Sequence, residues 1–190
     1  MATLQPNKKK ILEIVLFLIE LARESDATIT QYEIVKSILI ADVFHLRKFG
    51  RPVSFDNYAA LQFGPVPSEA YDMLKPNYDG SDITDAEWPM WTRSKYPQGG
   101  SNAFQFHDPE RAPNMRKLSQ TDVVELSEAF KFVKQRGCPG VRDWTHQLPA
   151  YRAAWDNRGD RRSVAMNYSL LVEGQDMELV SDLAHASHYM

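Results

Sequence analysis

Asp42 and His45 are the pair in this chain whose spacing could do acid–base chemistry. Three residues apart on a helix, they share a face. A carboxylate so placed can orient an imidazole and raise its pKa, which is what an acid–base pair needs. A buried structural hydrogen bond needs the same geometry. His146 is a more distant third candidate. No nucleophile or metal set stands beside these residues, so the structural reading outweighs the catalytic and binding ones. Other chemistry is thinner still. The phosphate-cradling G-x-x-x-x-G-K-[ST] is absent, as are G-x-G-x-x-G, H-E-x-x-H and G-x-S-x-G. Cys138, the only cysteine, sits in a Gly-Cys-Pro-Gly turn without an adjacent base. It reads as an ordinary turn residue. His185 and His188 have metal-like spacing, but on a chain end that frays. No cofactor, no metal and no enzymatic activity are expected; a small hydrolase using His45 or His146 is the weakest functional reading.

Composition narrows the classes further. The chain has 190 residues, 43% of them hydrophobic and 25% charged. That suits one globular domain over 1–190 with an ample core. A net charge of −3 and a pI near 6.0 argue against nucleic-acid binding through bulk charge. One cysteine excludes an intramolecular disulfide and favours a reducing, cytoplasmic setting. Lys8-Lys9-Lys10 before ILEIVLFLIELA resembles a leader, but Glu13 and Glu20 interrupt the apolar run. The run is also shorter than the ~20 residues a membrane helix needs, so no membrane association is expected.

The elements that must position these residues are mostly helices. Residues 7–24 form an amphipathic helix with Ile11, Ile14, Val15, Leu18 and Ala22 on one face. Lys10, Glu13, Glu20 and Glu24 make the opposite, charged face. Phe17 falls in the middle of that face, either under a covering loop or as a partner contact. Thr30 and Glu33 have capping-box spacing and start a second helix, stopped at Gly50. Both Asp42 and His45 lie late in it. They should be at least partly buried and tied to the segment near Tyr58 or Gly64, because unsatisfied buried polar groups are costly.

Beyond Gly50 the helical period stops. In FGPVPSEAYDML, Gly64 can take angles other residues cannot, Pro65 fixes its own φ, and Pro67 holds Val66 extended. Gly64–Pro67 is thus a stiff elbow aiming a short helix, 68–75, capped by Ser68 and stopped by Pro76, with Tyr71 and Leu74 inward. Residues 76–102 form a long loop insertion containing Tyr78, Trp88, Trp91 and Tyr96. The loop is either tucked over the core by its tryptophans or an exposed aromatic binding loop. AFQFH, 103–107, is a strand in a small hairpin. Ser119 and Asp122 open a third long helix to about Arg136, followed by the Gly-Cys-Pro-Gly turn and two short helical pieces over 140–157. A basic loop, Arg158–Arg162, and short helices near 165–172 and 175–186 complete the chain. The expected fold is mainly α: a compact helical domain with one small β-hairpin.

The stretch ADVFHLRKFGRPVSFDNYAALQFGPVPSEAYDML resembles the core of the Panacea domain, the SocA-like antitoxin family. The resemblance rests on Ala41-Asp42, His45-Leu46, Gly50-Arg51-Pro52, Tyr58-Ala59 and Gly64–Pro67. It is strong over 11–75 and looser over 118–172, where LSQTD, WTHQLPAYRAAW and YSLLVEG are similar to the family's second half. It implies an antitoxin, of bacterial, phage or prophage origin, that binds and neutralises a toxin enzyme encoded next door. It also implies that Asp42, His45, Tyr58, Gly64, Pro65, Pro67, His146 and Trp155 are scaffold rather than active site. The implied partner is the cognate toxin, with a protease (some members are adaptors) or a second copy of the chain as other partners. Phe17, Trp88 and Trp91 are the candidate contact residues. The rival reading is a DNA-binding autoregulator built on a winged-helix-like unit. It lacks a long basic recognition helix.

Overall fold

The computed structural model describes residues 3–83, 88–100, 103–172 and 176–189. The parts of the expected loop at 84–87 and 101–102, and the expected start of the last helix at 175, lie outside the described residues. Helix α1 (Lys8–Glu24) is capped by the Asn7 side chain, which accepts from the Lys10 N–H. Strand β1 (Ile29–Thr30) leads into α2 (Gln31–Phe49). The Thr30/Glu33 capping box is complete, and Gly50 closes the helix at φ 68. Strands β2 (Tyr58–Leu61) and β3 (Gly64–Pro67) form a hairpin that feeds α3 (Ser68–Met73). Strands β4 (Thr92–Lys95) and β5 (Phe104–His107) make a second hairpin. Helix α4 (Gln120–His146) starts on a Ser119/Asp122 capping box and breaks at Gly137 (φ 63, ψ 174), where the sequence puts its turn. Then come α5 (Pro149–Asp156), strand β6 (Val164–Ala165), a 3-10 turn Tyr168–Leu171, and α6 (Met177–Ser187).

The mainly α expectation holds, but the β content exceeds one hairpin. Two antiparallel three-stranded sheets form, ordered β1-β5-β4 and β3-β2-β6. The elbow is itself a strand. Its prolines are tolerated because β3 is an edge strand, and Pro65 and Pro67 stand opposite Ala60 and Tyr58. The helix expected over 165–172 is replaced by β6 and the 3-10 turn, since Val164 and Ala165 pair with Ala60 and Ala59.

Helix α2 is the spine. One side packs with α1, α4 and Phe106 of β5 in the larger core. Leu39, Val43 and Leu46 face a second core made with β2, α5, the 3-10 turn and α6. The charged face of α1 is only partly solvated: Glu24 is exposed and Glu20 half-buried. Lys10 and Glu13 are buried, the first paired with Asp122 and the second held by both Arg111 guanidinium nitrogens. Segments 108–118 and the start of α4 cover the Lys10 and Glu13 part of this face, and a helix period cannot report cover supplied from far along the chain.

Candidate functional site

Asp42 has no exposed surface. Its Oδ1 accepts the backbone N–H groups of Val53 and Ser54, both at 2.8 Å, and its Oδ2 accepts the Ser54 and Tyr58 hydroxyls. Burial pushes its carboxyl pKa up, against the pull of those donors. All four donors come from residues 53–58, so the carboxylate clamps the segment joining α2 to β2. Within that segment Phe55 holds φ 56 with its ring buried, a costly conformation for a bulky residue. This bend lets Ser54 face Asp42 while Asp56 faces α3. The Asp56 oxygens accept the N–H groups of Glu69 (3.0 Å) and Ala70 (2.9 Å). Asp56, rather than Ser68, therefore caps α3, whose own N-terminal residues make no side-chain cap. Burial pushes Asp56 up to about 7.

His45 looks elsewhere. Its Nδ1 donates to the Arg51 carbonyl at 2.8 Å, and its Nε2 accepts from the Thr121 hydroxyl at 3.0 Å. Burial lowers its pKa, favouring this neutral ring. No hydrogen bond joins it to Asp42. Its nearest carboxylate is Asp122, 3.4 Å away on α4. Asp122 is itself buried. Its Oδ2 meets Lys10 at 3.0 Å and the Ser119 N–H at 3.0 Å. Its Oδ1 has Arg51 at 3.0 Å as a charge neighbour, without an aligned hydrogen bond. Burial opposes ionisation here, but Lys10, Ser119 and Arg51 outweigh it and hold the carboxyl below its usual range.

Gly64 and His146 meet at a third place. A Cβ on Gly64 would lie 2.7 Å from Lys36 Nζ, 2.8 Å from Thr145 Oγ1 and 3.3 Å from His146, and φ there is +94. Only glycine suits both constraints. Lys36 is fully buried and donates to the Pro65 carbonyl at 2.7 Å. Burial lowers its pKa to about 7. His146 stacks on Tyr151 at 4.5 Å, Tyr151 on Trp155 at 5.9 Å, and Arg158 lies 4.1 Å over Trp155. Tyr151 also donates to the Leu61 carbonyl, tying this column to the β2–β3 hairpin.

The proposed scaffold residues thus form two separate knots, one around Asp42 and Tyr58 and one around Gly64 and His146. His45 shares no partner with either Asp42 or His146. Trp91 is buried, edge-on to Phe106 (6.1 Å) and Trp88 (5.1 Å), and Trp88 meets Tyr78 at 5.2 Å. Trp88 and Phe17 are half-buried against the larger core. Among the described residues no group of three or more His, Cys, Asp or Glu side chains could hold a metal ion, and no helix is long and apolar enough to cross a membrane.

Sequence reasoning missed Lys36, Asp56 and Asp122 as buried charges. Lys36 offered a faint signal, a lysine inside the run Ile34–Ile38. Asp122 was visible only as a capping residue, and Asp56 offered no signal, because its partner turn lies 13 residues on.

A family model described as Antitoxin SocA-like, Panacea domain, matches residues 34–151, from the first turn of α2 into α5. The chain belongs to the SocA-like antitoxin, Panacea-domain family. Comparison with curated proteins and with solved structures gave no match. The Panacea segment contains the Asp42 clamp, the Asp56 cap and the Gly64–His146 contact. It begins later than the resemblance noted at residue 11, so α1 lies outside it, and it runs through the 76–102 loop.

Proposed function

We propose that this Panacea-domain protein neutralises a cognate toxin protein by direct binding, without chemistry of its own. The observation that carries this reading is where the family's motif residues spend their polar atoms. Asp42 uses both oxygens on residues 53–58, His45 uses both ring nitrogens on Arg51 and Thr121, and Gly64 is closed in by Lys36 and Thr145. A motif consumed internally builds a platform, and the activity belongs to the platform's surface. Trp88 and Phe17 keep part of their surface for such contact; Trp91 is buried and supports Trp88 edge-on. The test is co-expression with the product of the adjacent gene. Growth arrest by that product should be abolished, and the two proteins should co-purify. Neutralisation with no complex, stable or transient, would refute the direct-contact mechanism.

A further inference from the structure

A cavity of about 570 Å³ opens where α1, the start of α4 and α6 come together. Its floor is apolar, with Phe55, Leu118 and Leu183. Its walls carry four cations, Lys10, Arg51, Arg116 and Lys117, against two carboxylates, Asp122 and Asp182. That is a positive excess in a chain whose net charge is −3. The cations divide by depth. Lys10 and Arg51 share the buried Asp122, which offsets one of their two charges. Arg116 and Lys117 are exposed on the 3-10 turn Met115–Lys117, and their side chains make no hydrogen bond or ion pair among the described residues. The charge neighbour of Lys117, Glu13, is taken by Arg111. Beside them Met115 is 47% exposed.

We propose that this cleft receives an acidic segment of the toxin, with carboxylates between Arg116 and Lys117 and an apolar side chain on the Phe55–Leu118–Leu183 floor. The proposal rests on the antitoxin reading above and names the surface that reading needs. Charge complementarity selects an acidic partner, since opposed potentials steer encounter and fix register. The apolar floor selects a protein segment over a free inorganic anion. Such an anion would leave the apolar floor of Phe55, Leu118 and Leu183 uncovered.

The test compares the wild-type chain with R116E/K117E for binding to the purified product of the adjacent gene, by titration at low and at physiological salt. Both side chains are exposed and make no hydrogen bond or ion pair among the described residues, so R116A/K117A should melt with wild type; it is measured beside R116E/K117E, whose new carboxylate at position 117 faces Glu13. The expected result is affinity at least about tenfold weaker for R116E/K117E, with a smaller salt dependence than wild type. Equal affinity and equal salt dependence at an unchanged melting temperature would overturn the cleft and leave the antitoxin reading standing. No complex with the wild-type chain would remove both.

Discussion

Lys36 carries a charge that its position does not favour. The ammonium sits in the core with the Pro65 carbonyl at 2.7 Å and the Tyr32 ring at 5.4 Å. These contacts do not make up for lost water, and its pKa falls from 10.5 to about 7. Below pH 7 the amine is charged in both folded and unfolded chains, and the folded state bears the whole cost. Between 7 and 10.5 the folded chain has released the proton while the unfolded chain keeps it, so rising pH stabilises the fold. At about 1.4 kcal/mol per pH unit this window is worth a few kcal/mol. Lys36→Met should therefore gain stability relative to wild type most at pH 6, and the advantage should shrink by pH 10. Denaturant titrations of both proteins across that range check it. Parallel pH profiles would show that Lys36 is neutral throughout or better solvated than its burial implies.

At the scale of elements, α3 illustrates how a short helix borrows its ends. Six residues cannot sustain a helix in water by themselves. The edge strand β3, with Pro65 and Pro67, delivers the chain in a fixed direction, and the Ser68 N–H bonds to the Asn57 carbonyl at 2.8 Å. Asp56 then takes the next two N–H groups. Asp56→Ala should cost roughly 1–2 kcal/mol, the usual range for a lost cap. The loss should be local first, with faster hydrogen exchange at Glu69 and Ala70 than at amides of α2. Asp56→Asn, which keeps one acceptor oxygen, should fall between. Uniform exchange across the domain in Asp56→Ala would mean that α3 unfolds only with the whole.

For the whole molecule, the joint between α2 and α4 ties together helices far apart in the chain. It is apolar along its length and polar at both ends. Lys134 meets Glu33 at 2.7 Å at one end. At the other, Lys48 meets Glu125 at 2.8 Å and His45 bridges Arg51 and Thr121. Removing the imidazole leaves the Arg51 carbonyl without its donor, at about 1–3 kcal/mol for such a group, while the Thr121 hydroxyl keeps Ser119. His45→Ala should lower the melting temperature, and its neutralisation defect should recover on cooling or at higher expression. A defect at an unchanged melting temperature would make His45 a contact residue instead.

What the sequence determined by itself is what short-range rules govern. Thr30 with Glu33 and Ser119 with Asp122 mark helix starts because a capping box closes within four residues. Gly50 and Gly137 mark breaks because only local backbone angles are involved, and the core face of α1 follows from its period. The elbow was legible as extended and stiff for the same reason, since proline acts on its own and the preceding residue. That the elbow is a strand depends on its pairing with β2, whose other edge is held by β6. Tertiary packing also decides that Lys10 and Glu13 of the charged face of α1 are buried, that Asp42 and His45 serve different partners, and that Lys36 closes on Gly64. Most of those outcomes depend on groups distant in the chain, as Glu13 with Arg111 and His45 with Thr121 show. Burial, which sets their charge states, exists only once the surrounding elements have packed.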